Sequence, residues 1–209
     1  MRIFSVGAKA QSRLNRNILL EHGHTFPYIF DRSVGIEPPW ECKVISNEAE
    51  FDEYSKRCEG FVIGIGGHNG RDRVAYAERL ERNGLEPISA IHPTAYFGRE
   101  CKIGKGLLAM VGAVVSDGVE IGDYCLLNTG CSIDHDCKIG KGVHVMGAAA
   151  IAGNVSIGEF ASIGTNATIL PDLNIGSGVY IGAGAVVTKD VPESAIMIGV
   201  PARPIRKRQ

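Results

Sequence analysis

Seventeen positions spaced six residues apart, from Ile91 to Val187, are all apolar. After Ile91, Phe97, Ile103 and Ala109 each is aliphatic: Val115, Ile121, Leu127, Ile133, Ile139, Val145, Ile151, Ile157, Ile163, Ile169, Ile175, Ile181 and Val187. A short fixed period over nearly half a chain calls for a solenoid, in which each repeat gives one strand and one turn and only stacking closes the core. Two places before each position stands a second small or aliphatic residue, such as Ala95, Cys101, Leu107, Ala113, Val119, Cys125, Cys131 and Cys137. Side chains two apart on a strand share a face, so both point inward. The period predicts a parallel β-helix with three sides per coil, residues eighteen apart stacking at about 4.8 Å. Pairs such as Lys105-Gly106, Asp117-Gly118, Gly153-Asn154 and Thr165-Asn166 supply corner residues that tolerate a left-handed backbone.

Outward residues sort by face. Lys102, Glu120, Lys138, Ser156 and Asn174 form a polar face. Leu108, Met110, Leu126, Asn128, His144, Met146 and Tyr180 form a largely apolar one, which on a water-facing prism reads as a subunit contact. The third face, with Val114, Ala150, Ala152, Leu170 and Val186 beside Ser132 and Asp134, is intermediate. One wet and two drier faces suit an assembly of three prisms.

Residues 1–90 follow another rule. Arg2–Val6 reads as a strand, followed by a helical stretch to about Glu21 and a second strand from Thr25 to Asp31. Residues 47–58 read as helix, Gly60–Ile65 as a third strand, Arg71–Asn83 as a charged helix and Glu86–Ile91 as a final strand entering the prism. Alternating strands and helices predict a small Rossmann-like α/β unit with a parallel sheet and ligand loops at the strands' carboxyl ends. The expected division is 1–90, 91–190 for the β-helix, and a tail over 191–209. Gly66-Gly67-His68-Asn69-Gly70, with Arg71 and Arg73 beyond it, reads either as a phosphate cradle at a helix N-terminus or as a plain strand-to-helix turn. Asp31 reads as a ribose- or base-binding acid or as an exposed turn acid. No full GxGxxG fingerprint is present, which argues against NAD.

Composition narrows the classes. A net charge of −1 gives no support for binding nucleic acid or an anionic membrane. No segment has the length of a membrane span, and the N-terminus lacks a signal-peptide apolar core. Four of the six cysteines hold inward repeat positions as small hydrophobes, so disulfides are not expected and a reducing cytoplasm is.

One corner breaks the pattern. His135-Asp136 puts an imidazole at a corner, and no other corner of the repeat carries one. A neutral imidazole there can accept a proton from an amine or hydroxyl near neutral pH, with Asp134 or Asp136 to orient it; the alternative is a solvated corner histidine. Gly153 lies eighteen residues on, one coil along the same corner, where its N–H could serve an oxyanion. His144 is half a coil away, so it meets His135 only across a subunit boundary, or else it simply packs. No third stacked histidine completes a metal site, and none is expected.

The segments Asn128-Thr129-Gly130-Cys131-Ser132-Ile133-Asp134-His135-Asp136-Cys137-Lys138-Ile139-Gly140 and Ala152-Gly153-Asn154-Val155-Ser156-Ile157-Gly158 carry a family resemblance. So does the ending Ile181 to Pro192, with Gly199-Val200-Pro201-Ala202. The chain resembles bacterial nucleotide-amino-sugar N-acetyltransferases acting on UDP-4-amino sugars, and their sialic acid O-acetyltransferase relatives. The resemblance implies a left-handed β-helix, a homotrimer and acetyl-CoA as co-substrate. It implies His135 as general base with Asp136 beside it, Asn128 near the acceptor amine, Gly153 on the acetyl carbonyl, and His144 and Thr165 lining the coenzyme A groove. Asp31, Gly66, His68 and Arg71 fall where the family holds its nucleotide sugar, and the product would feed surface glycan synthesis. The basic end (Arg203, Arg206, Lys207, Arg208) reads as neutralising coenzyme A phosphates or as a solvated terminus. The family's glycine-rich GxGGHG loop is replaced by Gly7-Ala8-Lys9-Ala10-Gln11-Ser12, which moves pyrophosphate binding to Lys9, Ser12 or the later glycine loop. Two rivals follow: a sialic-acid-type O-acetyltransferase, and a non-catalytic trimeric scaffold or sugar-nucleotide sensor.

Overall fold

The computed structural model describes residues 1–33 and 35–205, in two compact units, one of residues 1–90 and one beginning at Ile91. The first contains β1 (Arg2–Val6), α1 (Ala10–Leu20), β2 (Thr25–Phe30), β3 (Lys43–Ile45), α2 (Glu48–Ser55), β4 (Gly60–Ile63), α3 (Gly70–Arg82) and β5 (Glu86–Pro87). The sheet runs β3-β2-β1-β4-β5 with every pairing parallel. The chain winds outward from β1 to β3, then crosses to β4. That reversal opens a crevice beyond the carboxyl ends of β1 and β4, where such sheets bind ligands. The sheet is buried by its own aromatics: Phe51 of α2 meets Phe4 and Phe30 edge-on, with ring centroids 5.3 and 4.8 Å away. Each ring fully withdrawn from water stabilises the unit by about 1.5–3 kcal/mol.

Two details differ from the sequence reading. The sheet has an extra edge strand, β3, whose three residues follow Pro38-Pro39-Trp40 and are too few to show an alternation. The expected strand Glu86–Ile91 is divided: Glu86–Pro87 closes the first sheet, and Ala90–Ile91 starts the ladder that continues through Leu108–Ala109.

The second unit is the left-handed parallel β-helix. Two-residue strands stack in three sheets whose registers step by eighteen: Val114, Ser132, Ala150, Thr168, Val186; Glu120, Lys138, Ser156, Asn174; and Leu126, His144, Ser162, Tyr180. The predicted inward pairs fill the core, with Leu107, Ala113, Cys131, Ile133, Val145, Ile163 and Ala167 fully buried. Ile91 and Ile103 remain 38 % and 39 % exposed, because the first coil of this unit has a stacked coil on one side only. Corners are left-handed at their second residue even without glycine, as at Tyr124, Asp136, Asn154, Phe160 and Asp172. Each such residue costs roughly 1–2 kcal/mol, so stacking imposes the corner geometry against local preference.

The stack does not end at Val187. Val191 bridges Ile175 and Ile196 pairs with Tyr180, both at a separation of sixteen rather than eighteen. The corner between Val187 and Val191 is two residues shorter, which turns Val191 inward in place of Glu193 and hides the final coil from a six-residue reading. The segment read as a tail therefore adds Val191, Met197 and Ala202 to the core, and Arg203–Pro204 pairs antiparallel to Ile196–Ile198. Arg206, Lys207 and Arg208 lie outside the described residues.

The polar face is open as expected. The apolar face is not: Leu108, Met110, Leu126 and His144 are each at most 4 % exposed within the single chain, so these residues are not an uncovered contact surface. Apolar exposure falls instead on Tyr96 (58 %) and Val114 (40 %) of the intermediate face and on Val111 (42 %) at its corner.

Candidate active site

His135 sits at the corner between the sheet of Ser132–Ile133 and that of Lys138–Ile139. Its Nδ1 is 2.9 Å from Oδ2 of Asp136. An ionised carboxylate only accepts, so Nδ1 carries the proton and Nε2 keeps its lone pair. Asp136 is held in turn: its backbone N–H donates to the Asp117 carbonyl at 3.1 Å. Its Oδ1 stands over Gly118, 2.8 Å from where a β-carbon would be. Asp134 does not touch the ring; its Oδ1 accepts the backbone N–H of His135 at 2.8 Å. The Asp136 hydrogen bond, then the Asp134 charge and a weaker one from Asp172, hold the imidazole pKa above its ordinary value.

The Nε2 end of the ring stands over the next coil. A β-carbon on Gly153 would come 2.6 Å from Nε2, 2.7 Å from Cε1 and 3.2 Å from Cδ2 of His135. Only glycine leaves room for the ring there. Asn154 below ties the corner, its backbone N–H donating to the His135 carbonyl at 2.9 Å and its amide to Oδ1 of Asp172 at 2.8 Å. Among the described residues, the Gly153 N–H donates to no protein acceptor. The corner thus has a lone-pair nitrogen on an oriented ring beside a backbone donor, as proton transfer at an acyl centre requires.

The other expected groups of the β-helix lie elsewhere on the same chain. Asn128 ends a strand of another sheet, where its Oδ1 accepts the Thr129 N–H at 2.7 Å. Thr165 is exposed at the corner between the strands Ser162–Ile163 and Thr168–Ile169. His144 is 4 % exposed, on the sheet that does not border His135, and of the two readings above its burial favours packing. A single chain brings His135, Asp136 and Gly153 together and leaves Asn128, His144 and Thr165 a prism side away.

In the first unit a cavity of about 140 Å³ opens at the carboxyl ends of β1 and β2, lined by Gly7, Asp31, Arg32, Ile65, Asp72 and Tyr76 among others. Oδ2 of Asp31 accepts the Ala8 N–H at 2.8 Å and Oδ1 accepts that of Ser33 at 2.9 Å. Burial pushes this carboxyl up, but the Ser33 and Ala8 N–H groups, with the charge of Lys9, hold it below its ordinary value. Tyr76 donates to Glu48 at 2.7 Å, and burial, then that bond, raises its phenol to about 12. Gly66 and His68 stand in the loop into α3 and Arg71 in its first turn, and none of them lines this cavity. Ser12 is fully buried, donating its hydroxyl to the Gly7 carbonyl, so it offers nothing to a phosphate. Arg32, Asp72 and Tyr76 escaped the sequence reading; the signal available was the four-residue spacing of Asp72 and Tyr76 on one face of α3.

Among the described residues no group of three His, Cys, Asp or Glu side chains could hold a metal, and no helix is long and apolar enough to cross a membrane.

Comparison with known proteins agrees with this architecture. The family described as bacterial transferase hexapeptide (six repeats) matches residues 154–189. No curated protein sequence matches the chain. Among solved structures, PerB from Caulobacter crescentus, in complex with CoA and GDP-perosamine, is 28 % identical with a TM-score of 0.89, covering 99 % of this chain and 98 % of its own. The same enzyme, a perosamine N-acetyltransferase, has also been solved with one histidine changed to asparagine or alanine. The acetyltransferase domain of PglB from Neisseria gonorrhoeae is 29 % identical with a TM-score of 0.85, covering 98 % of this chain and 99 % of its own. WeeI from Acinetobacter baumannii AYE is 27 % identical with a TM-score of 0.85, covering 98 % and 100 %. In its repeat, its two units and these whole-chain likenesses, the chain is similar to hexapeptide-repeat acetyltransferases such as PerB and the PglB domain.

Proposed function

We propose that this protein moves the acetyl group of acetyl-CoA onto the amine of a nucleotide-linked amino sugar. The observation that carries the reading is the His135 corner, where Asp136 fixes the ring 2.9 Å away and the lone-pair edge lies over bare Gly153. The amine nitrogen attacks the thioester carbon, and the Gly153 N–H stabilises the oxyanion that forms. Nε2 of His135 takes the nitrogen's proton and passes it to the departing sulfur as the C–S bond breaks, releasing coenzyme A as the thiol. Asp136 keeps the tautomer correct and supports the transient imidazolium.

The first unit is assigned the nucleotide, with Asp31 at the base or ribose, and Gly66, His68 and Arg71, with Lys9, available to the phosphates. A homotrimer is assigned because His135 is exposed on the side away from Gly153. Asn128 and Thr165 complete a site only when a neighbouring prism brings them to this corner, and His144 then backs that wall. Exposed Tyr96, Val111 and Val114 support such a contact. A cytoplasmic role in surface glycan synthesis fits nucleotide-sugar and acetyl-CoA supply.

The test is release of free coenzyme A from acetyl-CoA against UDP-, dTDP- and GDP-linked 3- and 4-amino sugars, with sialic acid alongside. Release with one amino sugar supports the reading and names the nucleotide. Release with sialic acid alone makes the protein an O-acetyltransferase. Silence throughout, in protein that melts cooperatively, overturns acetyl transfer to these acceptors.

A further inference from the structure

The peptide between Ala152 and Gly153, whose N–H serves the oxyanion in the function proposed above, is held from inside the prism. Its carbonyl accepts a hydrogen bond from the thiol of Cys137 at 3.1 Å. The ladder between coils passes this carbonyl by: the Asp134 N–H donates to the Ile151 carbonyl at 2.9 Å and the Asp172 N–H to that of Gly153 at 3.1 Å. Among the described residues, Cys137 is the only donor to the Ala152 carbonyl. Cys137 is fully buried, and burial pushes its thiol up, so it keeps the proton that it donates. The C=O and N–H of a trans peptide point in opposite directions. A carbonyl tied to the core therefore aims the Gly153 N–H outward, where Nε2 of His135 stands over the residue. Cys101 and Cys125 make the same kind of bond, to the carbonyls of Ser116 at 3.1 Å and Gly140 at 3.2 Å, but the peptides they hold lie at corners without an imidazole.

We infer that Cys137 is a positioning residue for acetyl transfer, its thiol orienting and polarising the Ala152 carbonyl so that the Gly153 N–H meets the oxyanion as a stronger donor. The inference rests on the acetyl-transfer reading and adds to it a buried residue that never touches substrate. A hydrogen bond received at C=O draws electron density from the N–H of the same peptide, and linked bonds strengthen one another by about 10–30 %. The gain appears where negative charge develops, on the thioester oxygen during attack, so it acts on the transition state and leaves ground-state binding alone. The thiol gives up no proton and forms no covalent bond. Deleting an oxyanion donor outright costs about 10²–10³ in rate. Losing about 10–30 % of that effect, on the logarithmic scale, predicts a fall in kcat of roughly two- to eightfold.

The test is steady-state kinetics of Cys137→Ala, Cys137→Ser and Cys125→Ala on the amino-sugar nucleotide that the wild type turns over. Alanine holds the same place in the repeat at Ala113, Ala149 and Ala161, all fully buried, so the alanine variants keep the fold. Cys137→Ala should lower kcat by about two- to eightfold and leave KM for both substrates unchanged. Cys137→Ser keeps a donor and should recover most of that loss. Cys125→Ala loses an equivalent bond and an equally buried sulfur at another corner, and should turn over as the wild type does. A general packing effect would slow both alanine variants alike. Wild-type kcat in Cys137→Ala, an equal loss in Cys125→Ala, or a serine variant as slow as the alanine one overturns the inference while wild-type turnover leaves acetyl transfer standing. A wild type that acetylates no amino sugar overturns the function and this inference together.

Discussion

Gly153→Ala isolates the closest approach in the site. The added methyl would sit 2.6 Å from Nε2 of His135, where ordinary contact begins at 3.4 Å, so the ring must retreat by about 0.8 Å. The ring is exposed and can swing outward, and the Gly153 backbone is not in the left-handed region, so folding is little affected. The Gly153 N–H survives the substitution. What changes is the placement of the base, and misplacement near 1 Å costs about a hundredfold in rate, or roughly 2.7 kcal/mol. The assay is kcat/KM from thiol-detected coenzyme A release for wild type, Gly153→Ala, His135→Ala and the double variant. If the loss acts through the ring, the methyl is nearly neutral once His135 is gone, giving a strongly non-additive cycle. Wild-type kcat/KM in Gly153→Ala, or full additivity in the double variant, would refute the argument.

Other outcomes follow from the same structure. His135 must be neutral to act, and its pKa is held up by the Asp136 hydrogen bond and then the Asp134 charge. The acid limb of the kcat/KM profile should therefore sit above the ordinary histidine value of about 6.5. Asp136→Asn should move that limb to lower pH while lowering the plateau by about 10²–10⁴-fold through loss of tautomer control, and an unmoved limb would count against His135 as the titrating base. Ile163→Ala empties a fully buried core position and should cost about 2–5 kcal/mol, read as a lower urea midpoint. In the first unit, a β-carbon on Gly64 would come 1.9 Å from the Ser12 hydroxyl and 2.9 Å from its backbone nitrogen. Turning the serine cannot relieve the second contact, so Gly64→Ala should push α1 away and destabilise the unit by about 1–3 kcal/mol in a thermal melt.

The β-helix was legible because each core residue repeats at a fixed interval and stacking has no other register to choose. Where the interval changed, at the shortened corner before Val191, legibility stopped, although Val191 is as buried as the isoleucines before it. In the first unit, strand and helix order could be read locally, but β3 is three residues long and its pairing with β2 is a tertiary event. Sequence marked His135 as the odd corner yet could not choose between Asp134 and Asp136, each one residue away. That choice depends on the left-handed backbone at Asp136, which carries its carboxylate to Nδ1. Asp72 and Tyr76 share a face of α3, but Arg32 follows β2 far away in sequence, so only folding brings the three together. The covering of Leu108 and Leu126 was invisible for a similar reason: an outward apolar side chain reads alike whether its own chain or another molecule hides it.

The antiparallel strand Arg203–Pro204 sets a limit on assembly. Each coil offers the next a parallel template, so a solenoid left bare could accept another molecule's coil and grow end to end. Here the outermost strand of one sheet runs the wrong way, and the corner between Val187 and Val191, one coil earlier, is two residues short. A second prism arriving at that end meets mismatched carbonyls and a broken triangle. The same few residues that finish the core thereby act as a length gauge, keeping a repeat built for indefinite extension from becoming a fibre.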